Sequence, residues 1–231
     1  MRKMPKRITA AVNYDENCIA CPRLATFLVD TKKKYPTYFC KPVNNFGATN
    51  AQLLIVGLAP GMHGANATGR PFTGDHAGIL LYETLHKFGF ATKPASVSAD
   101  DDLQLLNCRI SNAVKCLPPD NKPTLDEIKT CNHFLAAEIN AFLVSKKTAG
   151  EGRNTAILAL GLIAHQATLR ALNKKNSDAK FAHGAAHELS TGNVLFNSYH
   201  CSRYNTNTKR LTSQGFEAVF SAVVAHLKNR V

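Results

Sequence analysis

Leu53-Leu-Ile-Val-Gly-Leu-Ala-Pro-Gly-Met-His-Gly-Ala-Asn-Ala-Thr-Gly-Arg-Pro-Phe-Thr-Gly-Asp-His-Ala-Gly78 decides how this chain folds. It opens as a short apolar run, Leu53–Leu58, the pattern of a strand buried on both faces. The run gives way to a loop, and the stretch as a whole carries Gly57, Gly61, Gly64, Gly69, Gly74 and Gly78. Glycine lets the backbone approach a ligand closely. So many glycines at the carboxyl end of a parallel-type strand mark a ligand site at the sheet edge. The same loop carries His63, Asn66, Phe72 and Asp75, which suit stacking on, hydrogen bonding to or polarising a planar ligand. After it, Leu80, Leu81, Thr84, Leu85 and Phe88 recur at helical spacing across Ile79–Phe88.

The same alternation extends in both directions. Upstream, residues 1–12 read as a flexible basic start, Arg23 to Lys33 as a helix, and Tyr35–Asn50 as an irregular approach to the first strand. Downstream, residues 91–102 are polar and loop-like, and Leu105–Val114 is the expected second strand. Thr124 with Glu127 forms a capping box for a helix to about Val144. Thr155–Leu160 is a third strand, ended by Gly161 and followed by a helix through about Leu172. Val194–Ser198 is the fourth strand. A last helix from Thr212 places Phe216, Val219, Phe220, Val223, Val224 and Leu227 on one face. Strands alternating with helices predict one layered α/β domain over residues 1–231, with a mainly parallel four-stranded sheet.

Of the 231 residues, 28 are Lys or Arg and 16 Asp or Glu, a formal charge of +12. That surplus favours an anionic partner, with nucleic acid the usual one, against the bland reading of a solubilising charge. Basic runs lie at Arg2–Arg7 and Lys32–Lys34. No apolar run approaches the roughly 20 residues of a membrane span, and the start has no signal-peptide core, so an intracellular, cytoplasmic protein is expected.

Seven cysteines are many for such a chain, and their odd number argues against a plain disulfide framework. Cys18 and Cys21 form a C-x2-C knuckle shared by zinc and iron–sulfur sites. Cys116 and Cys131 flank the segment Pro118–Thr130 and are placed to complete a four-thiolate site. The alternative is four unrelated buried thiols. His200 follows the fourth strand as the glycine loop follows the first, so both should open on one sheet edge. An imidazole there can donate to a carbonyl that gains charge in a transition state, although a lone loop histidine is more often structural. Arg203, Tyr204, Asn205, Lys209 and Arg210 follow, a basic and aromatic segment suited to phosphates and bases, or else a solvated loop.

Gly57–Asp75 and Ser198–Thr212 resemble the first and second motifs of the family 5 uracil-DNA glycosylases. Asn112–Thr124 and Phe181–Ala185 fit the same family, so the resemblance runs from about Cys18 to the final helix. It implies a three-layer α/β/α sandwich and a 4Fe-4S cluster on Cys18, Cys21, Cys116 and Cys131, there for structure. It implies a monomeric enzyme of base excision repair, associated with the nucleoid, that extrudes uracil or another deaminated base from DNA and hydrolyses its glycosidic bond. In that reading His200 donates to the departing base and Phe72 stacks on it. Gly57, Leu58, Ala59, Pro60, Gly61, His63 and Asn66 complete the base pocket. Asp75 positions water or merely caps the next helix, and Asn121 reads the base edge or orients water. Arg203 and Tyr204 fill the vacated space or brace the backbone, and Lys115 and Lys122 face phosphates. The apolar Leu58-Ala59 wall predicts a broad range that includes hypoxanthine.

Two residues depart from the family pattern, Cys201 and Asn197, and bring fine specificity into question. Family 4 enzymes start this motif Gly-Glu-Ala-Pro-Gly, and Leu58 stands where that Glu would be. A Rossmann-type site is disfavoured because no G-x-G-x-x-G follows the first strand. A non-catalytic iron–sulfur or zinc protein that binds nucleic acid is the alternative of another class.

Overall fold

The computed structural model of the chain describes residues 14–144 and 154–229. The basic start, residues 1–12, lies outside them. Six strands form one sheet: β1 (Phe46–Gly47), β2 (Leu53–Gly57), β3 (Cys108–Asn112), β4 (Thr155–Leu160), β5 (Ala186–Ser190) and β6 (Asn193–Ser198). Their order is β1-β3-β2-β4-β6-β5. The inner four run parallel, while β1 and β5 join the two edges antiparallel.

The expected four-stranded sheet is therefore corrected to a mixed sheet of six. The four inner strands are those the apolar runs announce. The edge strands lack such runs because an edge has less to bury. β5 alternates exposed and half-buried residues and pairs with β6 through a tight turn at Gly192 (φ +75°). The second strand is also shorter than expected. Asn107 turns left-handed (φ +52°) before it, and Leu105 instead bridges Ala91.

Strand periodicity sorts the core into two layers. Leu53 and Ile55 of β2 face the helices α3 (His76–Lys87) and α7 (Ser213–Lys228), packing with Leu81, Leu85, Phe216 and Phe220. Leu54 and Val56 face the other way, towards α1 (Pro22–Lys34), α4 (Leu125–Val144) and α5 (Leu162–Ala171), with Leu24, Leu135, Ile139 and Ala164. This is the three-layer α/β/α arrangement.

The capping box of α4 forms as expected: Thr124 N donates to Glu127 Oε2 at 2.7 Å, and Glu127 N to Thr124 Oγ1 at 3.3 Å. Glu127 also takes two 2.7 Å bonds from Arg23, which ties α1 to α4. Two short helices complete the fold, α2 (Ala65–Thr68) within the glycine loop and α6 (Arg203–Asn207) after β6. Among the described residues no helix is long and apolar enough to cross a membrane.

Candidate active site

The carboxyl ends of β2, β3 and β6 open on one edge of the sheet, where parallel sheets place their ligands. A cleft of about 580 Å³ lies there. Leu58, Ala59, Gly61, His63, Phe72 and Asp75 line it from the glycine loop, Asn112 from the end of β3, Asn121 from the loop before α4, and His200 and Arg203 from beyond β6. The two motif segments at opposite ends of the sequence thus meet. The rings of Phe72 and His200 lie 5.9 Å apart, inclined by 29°.

Phe72 is held with φ +54°, a region that bulky residues rarely enter, at a cost of order 1–3 kcal/mol. The ring is nearly buried and covers the backbone of Gly57. A Cβ on Gly57 would come within 2.7 Å of the Phe72 ring and 2.4 Å of Asn112 Oδ1. Gly57 therefore sets the close approach of strand, ring and amide.

Of the two duties considered for Asp75, the structure shows the helix cap. Its Oδ1 accepts from Gly78 N at 2.8 Å and caps α3. Its Oδ2 lies against Gly61 and Gly64 on the cleft wall; a Cβ on Gly64 would sit 2.5 Å from it. Burial raises the Asp75 pKa, opposed by bonds from the amides of Gly78 and Ala77. His200 is pushed the other way: burial lowers its pKa to about 4. Its ring makes no hydrogen bond to another described residue, so at neutral pH it is an uncharged imidazole with a free donor.

Other residues hold that imidazole in place. Asn205 Nδ2 donates to the carbonyl of His200 at 2.8 Å, so Asn205 turns inward and braces the loop. Tyr199 N donates to His183 Nδ1 at 3.2 Å, and the two rings stack at 5.0 Å and 9°. Arg210 lies 4.4 Å over the Tyr199 ring. Arg203, Tyr204 and Lys209 are exposed, Tyr204 to 70%.

Some expected site residues stand elsewhere. Asn66 is fully buried outside the cleft, with Nδ2 directed at Cys40 Sγ (3.5 Å). Pro60 and Gly57 are buried behind the wall. Lys115 does not face phosphates: it is buried, with Nζ at 2.6 Å from both Asn45 Oδ1 and Ser111 Oγ and 3.5 Å from Glu138. Lys122 is exposed. Asn121 is exposed at the cleft mouth, with φ +55°. Cys201 and Asn197 are wholly buried and line no part of the cleft, so their departure from the family pattern concerns packing.

Asn112 is the site residue that the sequence reading passed over. It is buried in the cleft wall, and its Oδ1 has no hydrogen-bond partner. A polar residue closing an inner strand at its carboxyl end, on the ligand edge, is the signal that would have found it.

A second cavity lies between α1, α4 and the segment after β3. Cys18, Cys21, Cys116 and Cys131 all line it, among Leu24, Val114 and Phe134. Burial together with the other three cysteines raises the Cys116 thiol to about 12. Burial, Cys131, Glu127 and Cys18 raise Cys21 to about 11. Among the described residues no three His, Cys, Asp or Glu side chains gather as the ligands of one metal ion.

The family model for the uracil-DNA glycosylase superfamily matches residues 44–224, and the chain belongs to that superfamily. It is 40% identical over 204 residues to the Type-5 uracil-DNA glycosylase of Thermus thermophilus, covering 86% of this chain and 89% of that protein. It is 38% identical over 218 residues to the Type-5 enzyme of Pyrobaculum aerophilum, covering 93% and 91%. A Type-4 enzyme of Thermotoga maritima matches over only 40% of the chain, so the branch is Type-5.

Proposed function

We propose that this chain is a monofunctional DNA glycosylase that excises uracil from DNA and begins base excision repair. The observation that carries the reading is the meeting of Phe72, His200 and Asp75 in one cleft. The nucleotide swings out of the stack into that cleft, at least cost where it is mispaired. Phe72 supports the base. The bond between C1′ and the base nitrogen breaks with its electron pair passing to the base, which leaves as an anion delocalised onto its carbonyl oxygens. Neutral His200 donates a hydrogen bond to one of them, a contact that strengthens as charge develops. Water adds to C1′, and Asp75 Oδ2 accepts its proton. Asn112, whose Oδ1 has no partner, reads the base edge, and exposed Asn121 meets the nucleotide at the mouth.

The apolar wall of Leu58 and Ala59 places no amide against the ring, which favours acceptance of hypoxanthine beside uracil. Arg203, Tyr204, Lys209 and Arg210 contact the DNA around the vacated position. One domain over residues 1–231, acting as a monomer on DNA in the cytoplasm, accounts for these features. The packing of both helical layers on one sheet supports the single domain.

The four cysteines suit a 4Fe-4S cluster: all of them line one cavity whose other walls are largely apolar. When bound, the cluster would supply iron–thiolate bonds that fasten the Cys18–Cys21 knuckle to Cys116 and Cys131.

The test is excision from oligonucleotides carrying uracil or hypoxanthine, scored by alkaline strand cleavage. Excision of both is expected. Absence of any excision by iron-loaded protein overturns the enzyme reading, and cleavage of uracil alone overturns the broad pocket.

A further inference from the structure

Beside the cleft mouth lies an aromatic cluster whose tyrosines the proposed excision does not use. Tyr35 and Tyr38 stack with centroids 4.7 Å apart and planes 12° from parallel. His63 stands edge-on to both, at 5.6 and 5.9 Å. Its Nδ1 is 2.8 Å from the Tyr38 hydroxyl. His63 is exposed and also lines the cleft, while both tyrosines are half-buried. The basic run at the end of α1 adjoins the group: Lys34 Nζ lies 5.4 Å over the Tyr35 ring, and Lys32 Nζ donates to the Tyr38 carbonyl.

A cluster that served packing alone would bury its rings and dispense with ammonium groups. This one leaves ring surface and cations at the solvent, continuous with the place where a nucleotide enters. Stacked aromatic rings beside lysines are the means by which proteins hold unpaired nucleic acid. We propose that Tyr35, Tyr38 and His63, with Lys32 and Lys34, form a second nucleic-acid site that takes one unpaired nucleotide next to the extruded one. The neighbouring base stacks on the tyrosine pair. Its phosphate draws Lys34 off the Tyr35 ring and so frees that face. This inference rests on the glycosylase reading for the position of the DNA. It adds that lesions in unpaired strands are held more tightly than the cleft alone would hold them.

The experiment uses the full chain and single-stranded oligonucleotides with a tetrahydrofuran abasic analogue and 2-aminopurine at each neighbouring position in turn. Stacking on the tyrosines is expected to quench 2-aminopurine at one position on one side. Tyr35→Leu, which keeps an apolar side chain at the helix end, should abolish that quenching and weaken binding roughly tenfold. Lys34→Gln should lower the slope of log affinity against log salt by about one. If Tyr35→Leu melts before wild type and cannot be assayed, Tyr38→Phe and Lys34→Gln decide. Tyr38→Phe keeps the ring and must retain quenching, and Lys34→Gln must show the lowered salt slope. Quenching at no position in wild type, or quenching undiminished in Tyr35→Leu, overturns the proposal. Uracil excision by wild type is scored separately, so loss of the glycosylase reading would show there and not in the fluorescence.

Discussion

His200 shows how a residue acquires its chemistry from its surroundings. A histidine at pKa about 4 stays neutral throughout the physiological range. In the proposed reaction it therefore donates a hydrogen bond and releases no proton. Replacing it with Ala should slow single-turnover excision by about 10²–10³ while binding to an abasic analogue is kept. The pH–rate profile should show no inflection near 6.5. Its acid limb should belong to Asp75, which must be ionised to take a proton from water and whose pKa is raised. Activity is then lost as pH falls through a value above the ordinary carboxylate figure of about 3.9. Asp75→Asn separates the two duties of that residue. Asn caps helices as well as Asp does, so the melting temperature should hold while the rate collapses. Full activity in Asp75→Asn would remove Asp75 from the chemistry. The type and position of His200, Phe72 and Asp75 were readable from their motifs. The place of Asn112 in the cleft was not, because an asparagine in a strand becomes conspicuous only when its side-chain oxygen is seen to be buried without a partner.

At the scale of elements, the glycine loop depends on a partner that the sequence does not announce. Arg70 is buried, and its Nη2 reaches Asp101 Oδ1 at 2.7 Å and Ser96 Oγ at 2.6 Å. This fastens the polar segment 91–102 to the loop that carries Phe72. Burial alone would raise the Asp101 carboxyl, but Arg70 and the amides of Val97, Leu103 and Ser98 outweigh it and bring the pKa to about 2. Its folded pKa lies below the unfolded one, so the stabilisation is present above about pH 4 and is lost as pH falls towards 2. Removing the arginine leaves a buried carboxylate unpaired. Arg70→Ala should cost about 3–5 kcal/mol at pH 7 in denaturant melts, and less at pH 3, where Asp101 can accept a proton. The inner strands and the helices were legible from their periodicity and capping residues. The edge strands β1 and β5 were not. With one side at the solvent they carry no apolar run, and only the neighbouring strand selects them.

For the whole molecule, a net charge of +12 and exposed basic groups around the cleft predict strongly salt-dependent DNA binding. Arg203→Ala should lower the slope of log affinity against log salt by about one, with little change between DNA sequences. In the proposed cluster the four cysteines join segments far apart in the chain, so their loss should act on the fold. Cys116→Ser should abolish iron and sulfide content and visible absorbance, and should lower the melting temperature. Wild-type protein purified colourless with stoichiometric zinc would replace the cluster by a different metal site.

The sequence by itself determined the parallel core, the two loops that meet at its carboxyl edge and the cysteines available for a shared site. These follow from local rules: apolar periodicity, glycine spacing, and motifs long enough to exclude chance. Only the tertiary structure decided which side chains face the cleft. It turned Asn66 and Lys115 inward and set Asn112 and His200 in the cleft wall. Burial and distance are properties of chain segments brought together from far apart, and no local pattern encodes them.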